Sequence, residues 1–220
     1  VVARGDMLGI HDHLECFRAK SADVSLDYDA RSVLAYCAAA HERLSSWLDA
    51  HGYDARVTAH RNGCLAQAPQ IYEALAELGY TVLSDVWPRH RGTDRRGRPA
   101  HDNTGIPLGI GPYRHDTANF QDHTSRIGQF LQVPVAEMFL GPFRFELLQR
   151  WFDASEQQGV DPAVFTWCLH PYEVINDAHD AASPGMVGVL RDHLARCREE
   201  HGVEFASMGE LEGILAEGLA

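Results

Sequence analysis

Residues 71–86 read Ile-Tyr-Glu-Ala-Leu-Ala-Glu-Leu-Gly-Tyr-Thr-Val-Leu-Ser-Asp-Val, and this stretch decides the fold class. Its apolar residues first recur at three- and four-residue steps, which predicts a helix over residues 68–78. Gly79 ends that helix, and the apolar run over residues 80–86 predicts a strand. A helix that leads directly into a strand is the repeating unit of α/β proteins with a parallel sheet.

The same alternation continues on both sides of this stretch. Apolar periodicity predicts further helices over residues 30–51, 139–157, 184–201 and 208–219, with Asp29 and Ser207 as caps. Apolar and β-branched runs predict further strands over residues 7–10, 55–59, 127–135, 164–169 and 202–207. Residues 88–119 hold four prolines and a cluster of arginines, and predict a long loop. We therefore expect one α/β domain over residues 1–220, built on a parallel sheet or barrel.

The composition excludes several classes of protein and partner. Hydrophobic residues make up 45% of the 220 residues and charged residues 23%, which excludes collagen-like, disordered and coiled-coil chains. The formal net charge of −12 repels phosphates, so we expect no nucleic-acid partner. No apolar run approaches the roughly 20 residues of a membrane span, so we expect no membrane partner. The five cysteines form no Cys-x-x-Cys pair and predict buried thiols in a reducing compartment, the cytoplasm.

Two histidines stand at the end of the first predicted strand, separated by one residue. Side chains at positions i and i+2 of a strand share a face, so His11 and His13 could bind one zinc-like ion. Glu15, two residues further on, offers a carboxylate to complete such a site. In parallel α/β folds, active sites lie at this end of the strands. Two ordinary surface histidines in a loop are the alternative interpretation.

Two later predicted strands also end in polar side chains. Residues 60–63, His-Arg-Asn-Gly, follow the second strand, and the planar guanidinium of Arg61 suits holding a carboxylate in place. The strand over residues 164–169 ends at His170, which Pro171 biases toward an extended backbone. A histidine at that position could act as a general acid. A polar turn and a capped core histidine are the respective alternatives.

Together these segments resemble the polysaccharide deacetylases, metal-dependent enzymes that remove N-acetyl groups from chitin, peptidoglycan and other amino sugars. Residues 5–11, Gly-Asp-Met-Leu-Gly-Ile-His, resemble the second motif of that family. Residues 60–80 resemble its third motif and the following helix, and residues 169–171, Leu-His-Pro, resemble its last motif. The similarity spans most of residues 5–212 and implies a deformed (β/α) barrel. The family's first motif, Thr-Phe-Asp-Asp, would lie further upstream, so we expect the domain at 1–220 to be N-terminally incomplete and to lack the first strand or strands of the barrel.

The resemblance implies a divalent metal, zinc in the first place and manganese, cobalt or iron otherwise, bound by His11. The family places its second histidine four residues after the first, where this chain has Glu15. Zinc favours His13 as the second ligand, whereas manganese favours Glu15, and both stay candidates. By resemblance, Arg61 would orient the catalytic carboxylate, and His170 would protonate the leaving nitrogen.

Three further residues belong to the predicted site. Asp85 stands near the end of the strand after Gly79 and would tune His170 or bind substrate. Trp87 and Tyr172 would stack on a ring of the amino-sugar or glycan substrate, with simple packing as the alternative. The loop over residues 88–119 would form a wall of the substrate site.

Two other functions fit parts of the pattern. A strand-end His-x-His also opens the sites of amidohydrolase-type metal barrels, which need further histidines such as His60, His115, His123 and His170. A deacetylase-like domain without its catalytic base would instead be an inactive, glycan-binding domain. A metal held by three or four histidines and an aspartate would indicate the first, and the absence of metal binding would indicate the second.

Overall fold

A computed structural model of the chain describes residues 7–17, 28–138, 145–168 and 187–218. The chain divides into two compact units. The first comprises Val1–Pro107, Pro112–Pro134 and Ser207–Ala220, and the second comprises Leu108–Gly111 and Val135–Ala206. Every predicted site residue that the structure describes belongs to the first unit.

Strands alternate with helices along the first unit. Its strands are β1 (Leu8–Asp12), β2 (Val57–Asn62), β3 (Val82–Leu83), β4 (Arg91–Thr93), β5 (Pro99–Asp102), β6 (Tyr113–His115) and β7 (Phe130–Gln132). Five of them form one sheet in the order β1-β2-β3-β7-β6. The first four in this order run parallel, and β6 joins β7 antiparallel. The predicted α/β class and parallel sheet are confirmed, but within the described residues the sheet ends at β1 and β6 and does not close into a barrel.

The described part of the chain holds five α-helices. They are α1 (Ala30–Ala50), α2 (Pro69–Glu77), α3 (Phe145–Gln157), α4 (Val187–His201) and α5 (Met208–Gly218). Asp29 caps α1 as predicted, because its carboxylate accepts a hydrogen bond of 3.5 Å from the backbone N–H of Ser32. The hydroxyl of Ser32 donates a second bond of 2.8 Å to the same carboxylate. Ser207 and Glu210 cap α5 reciprocally through two backbone-to-side-chain bonds of 2.7 and 3.2 Å. None of the described helices is both long and apolar enough to cross a membrane.

The core of the first unit lies between one face of the sheet and the helices α1 and α2. Val33 of α1 and Ile71 and Leu75 of α2 are fully buried in it. Leu8 and Ile10 of β1 pack against the same core. Each such aliphatic side chain, when fully buried, stabilises the fold by about 1.5–3 kcal/mol. Because side chains alternate across a strand, the residues between them in β1 face the other side of the sheet.

The second unit contains α3, α4 and a short parallel pair of strands, β8 (Glu137–Met138) and β9 (Trp167–Cys168). Trp151 of α3 is buried, and its indole N–H donates a hydrogen bond of 2.7 Å to the carbonyl of Val164. The strand predicted over residues 164–169 is therefore shorter than expected in its described part, and Leu169 lies outside the described residues. The sequence did not predict β8, because two residues carry no periodic signal.

Three other predictions differ from the structure. Residues 80–86 form only the short β3, since the backbone carbonyl of Asp85 accepts a hydrogen bond of 2.9 Å from the Gln67 side chain rather than from a strand. Residues 202–207 form no strand; they are largely exposed, and apolar character alone supplies no pairing partner. Residues 88–119 are more ordered than a simple loop, because β4 and β5 form an antiparallel hairpin and β6 joins the sheet.

Candidate functional site

Two of the predicted polar segments, at the ends of β1 and β2, meet at one edge of the sheet. The adjacent strands β1, β2 and β3 are parallel, so their carboxyl ends lie side by side. His11 pairs in register with Arg61, and Ile10 pairs with His60. Paired residues share a face of the sheet, so His60 lies on the core side with Ile10, and His11 and Arg61 lie on the other side. We call the side with His11 and Arg61 the open face, and the side toward α1 and α2 the covered face.

A cavity of about 200 Å³ lies on the open face. Its wall consists of three consecutive residues from each of three strand regions and the first residue of α5: Gly9, Ile10, His11, Ala59, His60, Arg61, Val82, Leu83, Ser84 and Met208. None of these described lining residues carries a carboxylate. The volume is smaller than the roughly 300–1,000 Å³ typical of sites for drug-sized ligands, so the cavity suits one small chemical group.

The orientation of His11 suits a metal ligand. Its side chain is exposed, and its Nδ1 lies 3.0 Å from the backbone carbonyl oxygen of Arg61. A carbonyl oxygen only accepts hydrogen bonds, so Nδ1 carries the proton and, in the neutral ring, Nε2 carries the lone pair. Metal-binding histidines in proteins are commonly fixed in this way by a bond from the second nitrogen to a carbonyl group.

His13 lies beside His11, with the two ring centres 5.1 Å apart and the rings nearly perpendicular. Two imidazoles on one tetrahedral ion would have ring centres about 5 Å apart, given metal–nitrogen bonds of roughly 2.0–2.1 Å. Arg95 opposes metal binding here, because its Nη2 donates a hydrogen bond of 3.0 Å to Nε2 of His13. Glu15 belongs to the 3-10 helix Leu14–Phe17, and its side chain lies outside what the structure describes.

Asp85 is completely buried and does not line the cavity. Its carboxylate accepts hydrogen bonds from the backbone N–H of Asn62 at 2.6 Å and from the Asn62 side chain at 3.2 Å. Burial raises the pKa of Asp85 to about 6, against lowering contributions from His60, Asn62 and Arg61. Asp85 therefore holds the end of β2 in place through its bonds to Asn62.

A second polar cluster lies on the covered face. Asp12, Cys37 and His60 are all buried, and each offers one potential ligand atom within 4.8 Å of the others. His60 Nε2 lies 3.3 Å from Asp12 Oδ2. Burial, and secondarily the Asp12 carboxylate, raises the pKa of Cys37 to about 12. Sequence reasoning missed this cluster because no spacing pattern connects a helix cysteine with residues at the ends of two strands.

The predicted aromatic and acid residues lie elsewhere. Trp87 stacks on His90, with ring centres 3.8 Å apart and planes 18° apart, and it does not line the cavity. His90 in turn contacts His101, with Nδ1 of the first 2.9 Å from Nε2 of the second. His170 and Tyr172 lie outside the described residues.

The arginines of the loop at 88–119 are partly engaged within it. Arg91 forms an ion pair with Asp102 at 2.7 Å, and Arg98 forms one with Asp94 at 2.8 Å. Both guanidinium groups thus already have carboxylate partners. An anionic substrate would have to compete with those partners.

The histidines counted for an amidohydrolase-type site do not assemble in the described residues. His60 belongs to the covered-face cluster. His115 is buried with its ring centre 5.4 Å from that of Phe130, and His123 lines a separate surface depression. His170 lies outside the described residues.

No family model, curated protein or solved structure matches this chain. The resemblance to polysaccharide deacetylases therefore stays a prediction that the motifs make.

Proposed function

We propose that the chain is a metal-dependent hydrolase that removes an N-acetyl or related acyl group from an amino sugar or glycan. The open-face cavity carries the proposal, because His11 and Arg61 stand in its wall at the carboxyl ends of adjacent parallel strands. Parallel α/β proteins bind their ligands at that edge of the sheet. The motif resemblance supplies the reaction class. It also implies the deformed barrel of the deacetylases, to which the described sheet would contribute parallel strands.

The open face fits a divalent ion in two respects, the tautomer of His11 and the spacing of the rings of His11 and His13. His11 would hold the ion together with His13 or Glu15. The donor set favours zinc, with manganese, cobalt or iron as alternatives. A bound ion supplies polarisation of the amide carbonyl and lowers the pKa of water.

The chain's own side chains would then position the substrate and move protons. Arg61, in the cavity wall, would orient a carboxylate through its planar guanidinium. His170 would donate a proton to the leaving nitrogen, which turns a poor leaving group into a free amine. Trp87 and Tyr172 would contact the sugar ring.

The general base is the missing part of this reaction. No described residue in the cavity wall is a carboxylate, and the carboxylates of Asp12 and Asp85 are already bonded to His60 and Asn62. A general base typically contributes a factor of roughly 10²–10⁴ to the rate. We therefore expect slow, metal-dependent turnover from this chain.

The same observation favours a second candidate function, a glycan-binding domain without turnover. In that case the cavity would bind the acyl group of the sugar, and Arg95 would keep its bond to His13. Binding of the sugar would then be independent of metal.

The test is an assay for acetate release from an N-acetylated chito-oligosaccharide, with the free amine product confirmed by mass. The metal-free chain is compared with the same chain after addition of zinc, cobalt or manganese. We expect release only with metal, and its loss in His11→Ala. His51→Ala is the matched control, because His51 is an exposed histidine at the end of α1, bonded to the carbonyl of Trp47 at 2.7 Å.

Release that persists in His11→Ala would contradict the proposed metal site. Sugar binding without any metal-dependent release would establish the glycan-binding alternative.

A further inference from the structure

We propose that Asp12, Cys37 and His60 form a second metal site, on the covered face, for a thiolate-preferring divalent ion such as zinc. This site lies on the opposite face of the sheet from the open-face cavity, although His60 also contributes to the cavity wall. It does not depend on the proposed function. It would join β1, α1 and β2, three elements that are distant in sequence.

The ligand types and distances support the proposal. Cysteine, histidine and aspartate are the three common protein ligands of zinc, and a cysteine among them selects zinc or another soft ion over magnesium or calcium. The 3.3 Å between His60 Nε2 and Asp12 Oδ2 is close to the ligand–ligand distance on a tetrahedral ion with bonds of about 2.0–2.1 Å. All three potential ligand atoms lie within 4.8 Å of one another, so one ion can reach them with small side-chain shifts.

Burial provides a second, independent observation. Asp12, Cys37 and His60 are 6%, 1% and 3% exposed, and buried polar groups nearly always have bonding partners. Yet the hydroxyl of Tyr80 is buried without a hydrogen-bond partner in the described part of the chain. The ring of Tyr80 lies 5.4 Å from that of His60 and borders this cluster. Three protein ligands leave a fourth tetrahedral position for water, which the Tyr80 hydroxyl could bond.

An ordinary buried hydrogen bond between His60 and Asp12 is the competing interpretation. In that case Cys37 is an inert core thiol, and adding metal changes nothing at this cluster. The two interpretations differ in one property: only the metal site makes a bond to the Cys37 sulfur. A thiolate-specific measurement therefore separates them.

The experiment uses cobalt(II) as a spectroscopic probe of the full chain, freed of metal beforehand. Cobalt bound to a thiolate gives an intense charge-transfer absorption in the near ultraviolet, which ligation by nitrogen and oxygen alone does not give. We expect this band to saturate at one cobalt per chain in the wild type and to be lost in Cys37→Ala. We also expect cobalt to raise the melting temperature of the wild type by more than that of Cys37→Ala, which keeps only the proposed open-face site.

Two variants should keep the band. Cys197→Ala is the matched control, because Cys197 is likewise a fully buried cysteine in a helix. His11→Ala should also keep it, which separates this site from the open-face site. Absence of the band in the wild type would overturn the proposal without reference to any variant, and a band that persists in folded Cys37→Ala would overturn it as well.

Discussion

The two faces of the same three strands carry histidines in opposite environments. On the open face, His11 is exposed and its Nδ1 is bonded to a backbone carbonyl beside a cavity. On the covered face, one strand away, His60 is buried and lies against the carboxylate of Asp12. The open face borders a cavity of about 200 Å³. On the covered face, Asp12, Cys37 and His60 are all buried.

This difference follows from a shift of one residue along a strand. Side chains alternate between the faces of a sheet, so neighbouring residues such as His11 and Asp12 serve different sites. Consecutive polar residues at the end of a strand therefore lie in two different chemical environments, one on each face of the sheet. Substitutions at Asp85, Gly63 and Arg95 would test the different environments of the side chains at these strand ends.

The largest expected effect concerns Asp85, whose carboxylate is fully buried and has a pKa near 6, against 3.8 for the unperturbed group. The pKa of Asp85 is higher in the folded protein than in the unfolded chain. The stability that this group contributes is therefore present below its pKa in the unfolded chain and is lost as the pH rises through its pKa in the folded protein. Asp85→Asn cannot ionise. Its free energy of unfolding relative to wild type should therefore rise by about 2–3 kcal/mol between pH 4 and pH 7.5. Urea unfolding of both proteins, in chelator, at the two pH values measures this difference.

Asp122→Asn is the control for the sign of this effect. Asp122 is exposed, and hydrogen bonds from Thr124 lower its pKa. Its stability contribution is present above the unfolded pKa, so this variant should gain nothing relative to wild type as the pH rises. If the difference in free energy of unfolding between Asp85→Asn and wild type did not change with pH, ionisation of the buried Asp85 carboxylate would not destabilise the fold.

A smaller effect is expected at Gly63, which lies against the ring of His13. A Cβ at this buried position would overlap the imidazole, so Gly63→Ala should displace His13 and cost about 1–3 kcal/mol. Gly105→Ala is the matched control, because a Cβ there meets nothing within 4 Å, and it should change stability by no more than about 0.5 kcal/mol. Equal melting temperatures for the two variants would mean that His13 is not held against Gly63.

The smallest effect concerns Arg95, which donates a hydrogen bond to Nε2 of His13. Removing this cation should strengthen metal binding at the open face by about five-fold, equivalent to roughly 1 kcal/mol of charge repulsion. Cobalt titration of Arg95→Ala in a Cys37→Ala background isolates the open face. Arg96→Ala, an exposed neighbouring arginine, is the control. Unchanged affinity in Arg95→Ala would exclude His13 as a ligand and leave Glu15.

Local patterns predicted the helices better than the strands. The helix predicted over residues 30–51 became Ala30–Ala50 with its cap at Asp29, because periodicity and capping act within a few residues of each other. The strand predicted over residues 80–86 shrank to Val82–Leu83, and residues 202–207 formed none. A strand requires a partner from elsewhere in the chain, and apolar character does not specify that partner.

The candidate site also contains features that local sequence patterns predict and features that they do not. The positions of His11 and Arg61 at strand ends beside the cavity could be predicted from the sequence, because polar residues directly after apolar runs mark the ends of parallel strands. The contact of Arg95 with His13 was not found, since it joins two positions that no local pattern connects. The roles proposed for His170 and Tyr172 stay predictions.

The sequence by itself determined the α/β class, the positions of α1, α2 and α5, and the polar residues at the ends of β1 and β2. These depend on periodicities of two and 3.6 residues and on caps, which short stretches contain in full. Only the tertiary structure decided that Cys37 of α1 lies beside Asp12 and His60, and that Asp85 holds Asn62. These contacts depend on how α1 packs against the sheet and on the register of the parallel strands. Both depend on the whole core of the first unit, which no short stretch contains.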